Sequence, residues 1–530
     1  MTIPQAKNRW LRIAAALFSG GCLALVAPPA NLWWLHWFSW VPMFWALYPG
    51  TVKQNLRLGY LAGWFGMFCI FFWVVETVQR FSSLNLPLSF LILGLFASAF
   101  GLYYAITFGS AMWFRKKVGV NWVFVVPAVH VAMENLSPAL FPYYEGVTQY
   151  RVPAMFQLAS VIGSLGLTYL LFLVNCILAE SVFRNMEGRK QAWHLYGIAG
   201  GLIVANLAFG SWRHAAVEED LAKARTIQTA IIQQDVTMEE RFDDTAWDLI
   251  ESWKTRTASI ADQKPDLVVW PEASVRLADP HSNRRSRNLK RQRPKEFFSK
   301  LAGDGDFHLL MGGGTREWGS DDQGNKWVKD YNSAYSFTRK GEAGQRYDKM
   351  VPLPFGEYIP LADVFPVLRT IVRGPGNFRR GKEVTAFKAV DSAGEQYTYS
   401  APICYEGILN GQMGKLSAVD LFINITNDAW FGDTGCPHQH AMLTAGQAVQ
   451  YGRPLLRIAY TGISWVVEPH GDILYETAPF TESASVETIR LGTVDTLYKR
   501  GGWLFPYVCG LFAAGTFLFY RRREEEGGDE

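Results

Sequence analysis

The chain has 530 residues, a formal net charge of +3 and 15% aromatic residues, 20 Trp and 35 Phe among them. The near-neutral balance argues against a nucleic-acid-binding protein. The six cysteines (Cys22, Cys69, Cys176, Cys404, Cys436, Cys509) show no C-x-x-C metal spacing. Residues 11 to about 212 are mostly apolar, and residues 213 to about 500 read as a globular domain large enough to bury its own core.

A bilayer crossing needs about 20 apolar residues. Spans are expected near 11–28, 31–49, 58–78, 87–114, 121–138, 155–183, 194–212 and 502–520, seven before the globular block and one after it. Pro28-Pro29 connects the first two, and Trp33, Trp34, Trp37, Trp40 and Trp45 crowd the second, partly as interfacial anchors. Ser19-Gly20-Gly21-Cys22 is a weak match to a lipoprotein cleavage site, but Ser19 stands where an aliphatic residue belongs, so the first helix is expected to stay uncleaved.

Lysine and arginine set the orientation. With the N-terminus inside, the inner loops collect Lys7, Arg9, Arg12, Lys53, Arg57, Arg115, Lys116, Lys117, Arg184, Arg189, Lys190, Arg521, Arg522 and Arg523. The outer loops before the block receive Arg80 and Arg151. The block is therefore expected outside the cytoplasm. Glu76 and Glu134 fall near the outer ends of their spans, where a carboxylate is either a functional group or an interfacial ion-pair partner, Arg80 being at hand for Glu76. Glu180, four residues before Arg184, reads as a helical ion pair.

After a charged, helical linker at Glu218–Arg225, strands are expected at Thr229–Gln233, Asp266–Trp270, His308–Gly312, Asn332–Phe337, Tyr397–Cys404, Leu421–Thr426, Leu455–Ala459, Ser464–Glu468 and Ile473–Glu476. Helices at Arg241–Lys254 and His438–Tyr451 lie between them. The mixture argues an α/β layered domain.

Three segments carry chemistry: Trp270-Pro271-Glu272, Tyr347-Asp348-Lys349 and Ile403-Cys404-Tyr405-Glu406. A carboxylate, an ammonium and a thiol are a base, an oxyanion stabiliser and a nucleophile, the groups needed for acyl transfer through a thioester. A free thiol with a pKa near 8.5 needs such neighbours to react at neutral pH. Taken singly, each has an ordinary reading: an inert buried thiol, a capping carboxylate, a solvated lysine. A Cys404–Cys436 disulfide would consume the nucleophile. His438 and His440 read as helix-start packing or hydrogen bonding. Trp430 and Phe431 read equally as core aromatics or as the wall of an acyl or lipid path. The basic run Arg284, Arg285, Arg287, Lys290, Arg291, Arg293 and Lys295 reads as a solvated face or an anionic-lipid contact.

The three segments resemble the Glu-Lys-Cys triad of the nitrilase superfamily. Seven spans, an external domain and one last span resemble the apolipoprotein N-acyltransferase family within it. Val268-Val269-Trp270-Pro271-Glu272 is similar to that family's glutamate motif. Tyr347-Asp348-Lys349 with Val351 through Pro360 is similar to its lysine motif, and Pro402-Ile403-Cys404-Tyr405-Glu406 to its nucleophile motif. Asn424 through Gly432, Pro437 through His440, Gly452-Arg453-Pro454 and Thr461 through Ser464 extend the likeness.

The resemblance implies a nitrilase-like αββα sandwich inserted between the helices of an eight-span membrane domain. Residues 1–215 would be the seven-span part, 216–498 the extracytoplasmic catalytic domain, and 499–530 the final helix and cytoplasmic tail. It implies Glu272, Lys349 and Cys404 as catalytic, and Glu357, Tyr405 and Glu406 in support. Trp430, Phe431, Glu76 and Glu134 are candidate lipid contacts. No cofactor or metal is expected. The implied donor is a membrane phospholipid, the acceptor a diacylglyceryl-modified apolipoprotein, and the location the bacterial inner membrane with the domain on the periplasmic side.

The pattern has departures. Gln233-Gln234-Asp235-Val236 stands for Gln-Gly-Asn-Ile, Phe242 for a tryptophan, Gln447 and Gln450 for an arginine and a glutamate, and Ala459-Tyr460 for Asn-Thr; Cys436 is also unusual. All bear on substrate range. Two other functions share the motifs: a membrane-tethered amidase or nitrilase acting on small amides, and a non-catalytic lipid-binding module.

Overall fold

The computed structural model describes residues 8–82, 84–137, 140–236, 245–275, 279–320, 326–362, 364–371 and 377–526. The described residues gather into two compact units, one from the parts of 1–75, 86–215 and 496–530, the other from those of 76–85 and 216–495.

The first unit is helical. Arg9–Val26, Leu86–Leu136, Ser164–Met186, Trp193–Ala222 and Gly502–Glu526 are each long and apolar enough to cross a bilayer. Val52–Ile70 and Val74–Phe81, bent by 60°, add a sixth if the pair counts as one. Leu86–Leu136 folds back on itself. Gly119, at φ +64°, opens a 3-10 turn, and Thr107 Oγ1 then meets His130 Nδ1 at 3.2 Å across the hairpin.

The expected span 31–49 is not one helix. It breaks into a 3-10 turn, Trp33–Trp37, and a short helix, Val41–Leu47, with Pro42 in its first turn. Breaking a helix frees backbone groups that lipid cannot satisfy. Here Asn175 takes them up, accepting from Trp40 N at 2.9 Å and donating to His36 O at 2.9 Å.

Behind that break lies a buried polar centre. Glu145 accepts from His36 Nε2 at 2.6 Å, His130 Nε2 at 2.9 Å and the Tyr104 hydroxyl, and its own amide donates to Glu134 Oε1 at 2.6 Å. Glu134 is thus a buried hydrogen-bond acceptor inside the helical unit. Arg184 pairs with Glu180 at 2.8 Å, and Arg115 joins them at 2.7 Å.

The second unit is a sandwich of two six-stranded sheets. One runs β12-β1-β2-β3-β4-β5, the other β11-β10-β9-β8-β7-β6. The strands are β1 Thr226–Gln233, β2 Leu267–Trp270, β3 His308–Ser320, β4 Lys326–Phe337, β5 Ala343–Asp348 and β6 Phe387–Val390. They continue with β7 Gln396–Ser400, β8 Leu421–Thr426, β9 Leu455–Ala459, β10 Trp465–Val467, β11 Ile473–Glu476 and β12 Ser483–Arg490.

In each sheet three consecutive strands are parallel (β1, β2, β3 and β7, β8, β9) and the rest pair antiparallel. The parallel strands β2 and β8 are buried along their whole length, which is why they read as unbroken apolar runs.

Helix Ala246–Ala258 starts from a Thr245–Asp248 capping box and turns Leu249, Ile250, Trp253 and Thr257 inward at helical spacing. Residues 237–244, which hold the first part of the expected helix Arg241–Lys254 and Phe242, lie outside the described residues. With Phe298 and Ala302 of helix Pro294–Asp304, helix Ala246–Ala258 covers the first sheet, and Trp253 stacks on Trp270 with ring centroids 5.8 Å apart.

The sheets are bonded to each other. His308 on β3 accepts from Val390 N on β6 at 3.0 Å, and Gln233 at the end of β1 accepts from Ser464 Oγ at 2.6 Å. Strands β5, β6 and β12 were not among those expected. The expected strand Tyr397–Cys404 ends early, at Ser400, so Cys404 lies in a turn rather than at a strand end.

Candidate active site

Each chemical group sits just past the end of a strand, at one edge of the sandwich. Glu272 follows β2. Its turn is pressed against Gly312, whose amide donates to Pro271 O at 3.2 Å, and a Cβ at Gly312 would collide with the Pro271 and Ala273 backbone. Trp253 Nε1 holds the far side of the turn through Ser274 O at 2.9 Å. Lys349 follows β5, with its amide on Asn332 O at 2.9 Å. Cys404 opens the 3-10 turn Cys404–Ile408 at φ +52°, a left-handed conformation rare for a residue with a side chain.

Lys349 Nζ lies 2.7 Å from Glu357 Oε2 and 3.5 Å from Glu272 Oε1, and all three side chains are buried. Asn332 Nδ2 donates to Glu272 Oε1 and Glu357 Oε1, 2.7 Å each, and holds the carboxylates on either side of the ammonium. Glu272 Oε2 accepts from Asn427 N at 2.8 Å, a bond that comes from the other sheet. Leu353 N closes the set on Glu357 Oε2 at 2.7 Å.

Burial raises the Glu272 carboxyl above the ordinary carboxylate range and the Glu357 charge adds to it, against Lys349 and the Asn332 and Asn427 donors. Burial works against the Lys349 ammonium, but the charges of Glu357 and Glu272 outweigh it and keep the lysine protonated. Burial, then Glu272, pushes the Cys404 thiol up; Lys349 and a hydrogen bond with Thr426 pull the other way. The site therefore brings together a thiol, a carboxyl group whose affinity for a proton burial strengthens, and a fixed positive charge.

Glu406 ties the lysine segment to the cysteine turn. Its Oε1 accepts from Tyr347 Oη at 2.8 Å, Met350 N at 2.7 Å and Val351 N at 3.0 Å, and its Oε2 from Ile403 N at 2.9 Å. Burial still lifts this carboxyl to about 7. Tyr405 is buried beside them, and burial followed by Tyr358 pushes its phenol up to about 12.

Trp430 and Phe431 lie in the 3-10 turn Asp428–Phe431, with Phe431 buried. The Trp430 ring meets that of Phe81 at 4.9 Å. Glu76 pairs with Arg80 at 2.8 Å, and both approach Gly432, so segment 76–85 packs on this turn within the second unit. Glu134, in the first unit, has the hydrogen bond given above.

Several residues of the site carried no sequence signal. Asn332 lies in an ordinary-looking strand. Arg457, on β9, is fully buried and pairs with Asp428, which also meets His440 Nδ1 at 2.9 Å. Burial works against the Asp428 carboxylate, but Arg457 and His440 hold it down to about 2. His440 is thus a hydrogen-bonding residue of the buried network behind the cysteine.

The atypical residues are accommodated. Gln447 and Gln450 donate to Asn410 Oδ1 at 2.9 and 3.0 Å, Gln234 donates to Ser252 Oγ at 3.0 Å, and Tyr460 packs edge-on against Trp253. Cys404 and Cys436 are both free thiols. The basic residues Arg284, Arg285, Arg287, Lys290, Arg291 and Arg293 are exposed. Glu218, Glu468 and His470 lie close enough to hold a cation, but Arg490 pairs with both carboxylates and supplies that charge.

Two family models match the chain: the apolipoprotein N-acyltransferase N-terminal domain over residues 19–177 and the carbon-nitrogen hydrolase over residues 228–499. An apolipoprotein N-acyltransferase from Geobacter metallireducens is 27% identical over 520 residues, covering 96% of this chain and 95% of that protein. One from Allorhizobium ampelinum is 29% identical over 513 residues, covering 90% and 92%. Among solved structures, a mutant of the amidase from Nesterenkonia is 15% identical and covers 52% of this chain and 92% of its own, with a TM-score of 0.35. With a hydrolase model over more than half its length and these near-full-length relatives, the chain belongs to the carbon-nitrogen hydrolase family, as an acyltransferase of the apolipoprotein N-acyltransferase type.

Proposed function

We propose that the protein moves a fatty acyl chain from a membrane phospholipid, through a thioester on Cys404, to the α-amine of the N-terminal diacylglyceryl-cysteine of apolipoproteins. The observation that carries this is the buried meeting of Glu272, Lys349 and Glu357 beside the left-handed Cys404 turn. Glu272 takes the thiol proton, and the thiolate attacks the ester carbonyl. Lys349 stabilises the oxyanion, and the lysophospholipid alkoxide leaves with the proton from Glu272. In the second half Glu272 takes a proton from the attacking amine. The amide forms, and the expelled Cys404 thiolate recovers its proton. Glu357, Tyr405 and Glu406 hold these groups in place, and Trp430, Phe431 and Glu76 border the approach of lipid.

The reading places residues 1–215 and 499–530 in the bacterial inner membrane, with 216–498 on the periplasmic side. Crossing parity supports eight spans. Residues 76–85 and 216–495 fold as one unit and so share one side of the bilayer, which requires an even number of crossings between them. The two arms of the hairpin at Gly119, Ser164–Met186 and the start of Trp193–Ala222 supply four. A cytoplasmic, basic N-terminus then needs an odd number of crossings before residue 76, which is three when Arg9–Val26, the broken segment 33–47 and Val52–Ile70 each cross.

The test is mass spectrometry of the full-length protein after incubation with phospholipid alone. The expected result is a fatty-acyl adduct on Cys404, removed by hydroxylamine and absent in Cys404→Ala. An alkylatable Cys404 that never acquires an acyl group, with ammonia released from small amides, would overturn the reading.

A further inference from the structure

Cys404 keeps a left-handed backbone that a side-chain-bearing residue adopts only when its surroundings over-determine it. One hold is Glu406 on the Ile403 amide. The other is Asn424 on β8, whose Nδ2 donates to Pro402 O at 3.0 Å and to Cys404 O at 3.2 Å, gripping the carbonyls on both sides of Ile403.

A side-chain amide can flip, and a flipped Asn424 would turn its oxygen toward those carbonyls. Arg457 prevents this. Its Nη1 donates to Asn424 Oδ1 at 2.9 Å, its Nε to Ile463 O at 3.1 Å, and its remaining nitrogen pairs with Asp428. A guanidinium has no acceptor, so only the amide oxygen can face it. Arg457, Asn424 and Asp428 are all fully buried, leaving solvent no part in the arrangement.

We infer that Arg457 is a positioning residue for the nucleophile, a donor-only group that forces the Asn424 amide nitrogen onto the Cys404 carbonyl and so holds the thiol turn. This rests on the reading of Cys404 as the nucleophile. Arg457 touches no substrate and acts through Asn424. Lysine at 457 would keep a charge for Asp428 but lacks the fork that reaches Asn424 at the same time.

The experiment compares full-length wild type, Arg457→Lys, Asn424→Ala and the double variant in lipid-containing detergent. Each rate is taken per folded, alkylatable Cys404. The expected result is thioester formation about 100-fold slower in each single variant, since small misplacements of reacting groups cost about that much. The KM for the phospholipid donor should stay within about twofold, and the double variant should be no slower than the slower single, because both act through one connection. Wild-type rates per folded site, or losses that multiply in the double variant, would overturn the inference. Should Arg457→Lys fail to fold, Arg457→Gln, whose amide is no longer donor-only, takes its place in the same comparison. Alkylation of Cys404 by iodoacetamide, followed in parallel, reads thiol presentation whatever the substrate. If the acyl-transfer reading itself fails, wild type forms no thioester while alkylation still slows in the variants.

Discussion

Replacing Glu406 by glutamine, which has the same shape, tests whether the clamp between the lysine segment and the cysteine turn governs reactivity. The carboxylate accepts three donors on Oε1 and one on Oε2. A glutamine keeps its oxygen on the three-donor side and turns its NH2 toward the Ile403 amide. One charge-assisted bond worth about 1.5–3 kcal/mol then becomes two facing donors. The other three lose their charge assistance and fall to roughly half their strength. Relief from burying a charge returns part of this, because burial already lifts the carboxyl to about 7. The net expectation is a stability loss of about 2–4 kcal/mol. The broken bond is at Ile403, next to the nucleophile. If about 1.4 kcal/mol of the loss falls on the reacting geometry, thioester formation slows about tenfold. Denaturant unfolding of the full-length protein in detergent reads the first quantity and single-turnover acylation the second. A glutamine variant with wild-type stability and rate would refute the argument that these four bonds fix the turn.

Lys349→Met leaves two buried carboxylates without their shared cation and removes the charge that pulls the Cys404 thiol pKa down. Acyl transfer should fall by about 10²–10³, and alkylation of Cys404 at pH 8 should slow; unchanged alkylation would show that the lysine charge does not reach the sulfur. Burial, then Arg339, lowers His308 to about 4. A folded-state pKa below the unfolded value near 6.5 means that the unfolded chain binds the proton first, so stability is full above pH 6.5 and falls as pH drops toward 4. The loss is about 3 kcal/mol, because the protonated ring would be a buried charge beside Arg339; His308→Gln should flatten the unfolding free energy across that window, and an unaltered slope would point to another group. Gly432 has φ +65°, and a Cβ there would strike the Glu76 carboxylate. With ψ −176° this residue lies in a region essentially reserved for glycine, so Gly432→Ala should cost about 1–3 kcal/mol from the backbone alone and reduce the acylation rate severalfold through the turn that carries the Asn427 amide to Glu272; a rate equal to wild type would separate that turn from the chemistry.

The three chemical motifs were legible because each is a short run of distinctive residues close after a strand, Glu272 and Lys349 directly past β2 and β5 and Cys404 in the turn that follows β7. What joins them was not. Asn332 and Arg457 look like ordinary polar residues on strands, Asn424 shows only as the start of a matching run, and the pairing of β8 with β9 and of β3 with β4 is what brings these residues together. The apolar pattern runs on to Cys404 as one strand, but the ladder stops at Ser400 and resumes only as a single bridge from Ile403 to Ile425, so the cysteine opens a turn. The segment 31–49 has the hydropathy of a span, but Pro42 and the polar grip of Asn175 give it a broken backbone that composition does not reveal. The partner of Glu134 was not legible either: its carboxylate accepts the Glu145 amide inside the helical unit.

Phe81 leaves the ribosome long before Trp430, the ring it finally meets. Segment 76–85 must therefore wait for its partners until almost the whole sandwich has been synthesised. The turn that carries Asn427 to Glu272 is then among the last parts to reach its final form, and a half-made chain holds no complete site. The same arrangement governs cleavage. A cut that frees residues 216–495 leaves behind a piece of the folded unit, and the released fragment would carry Trp430 bare and Gly432 without the helix it packs on.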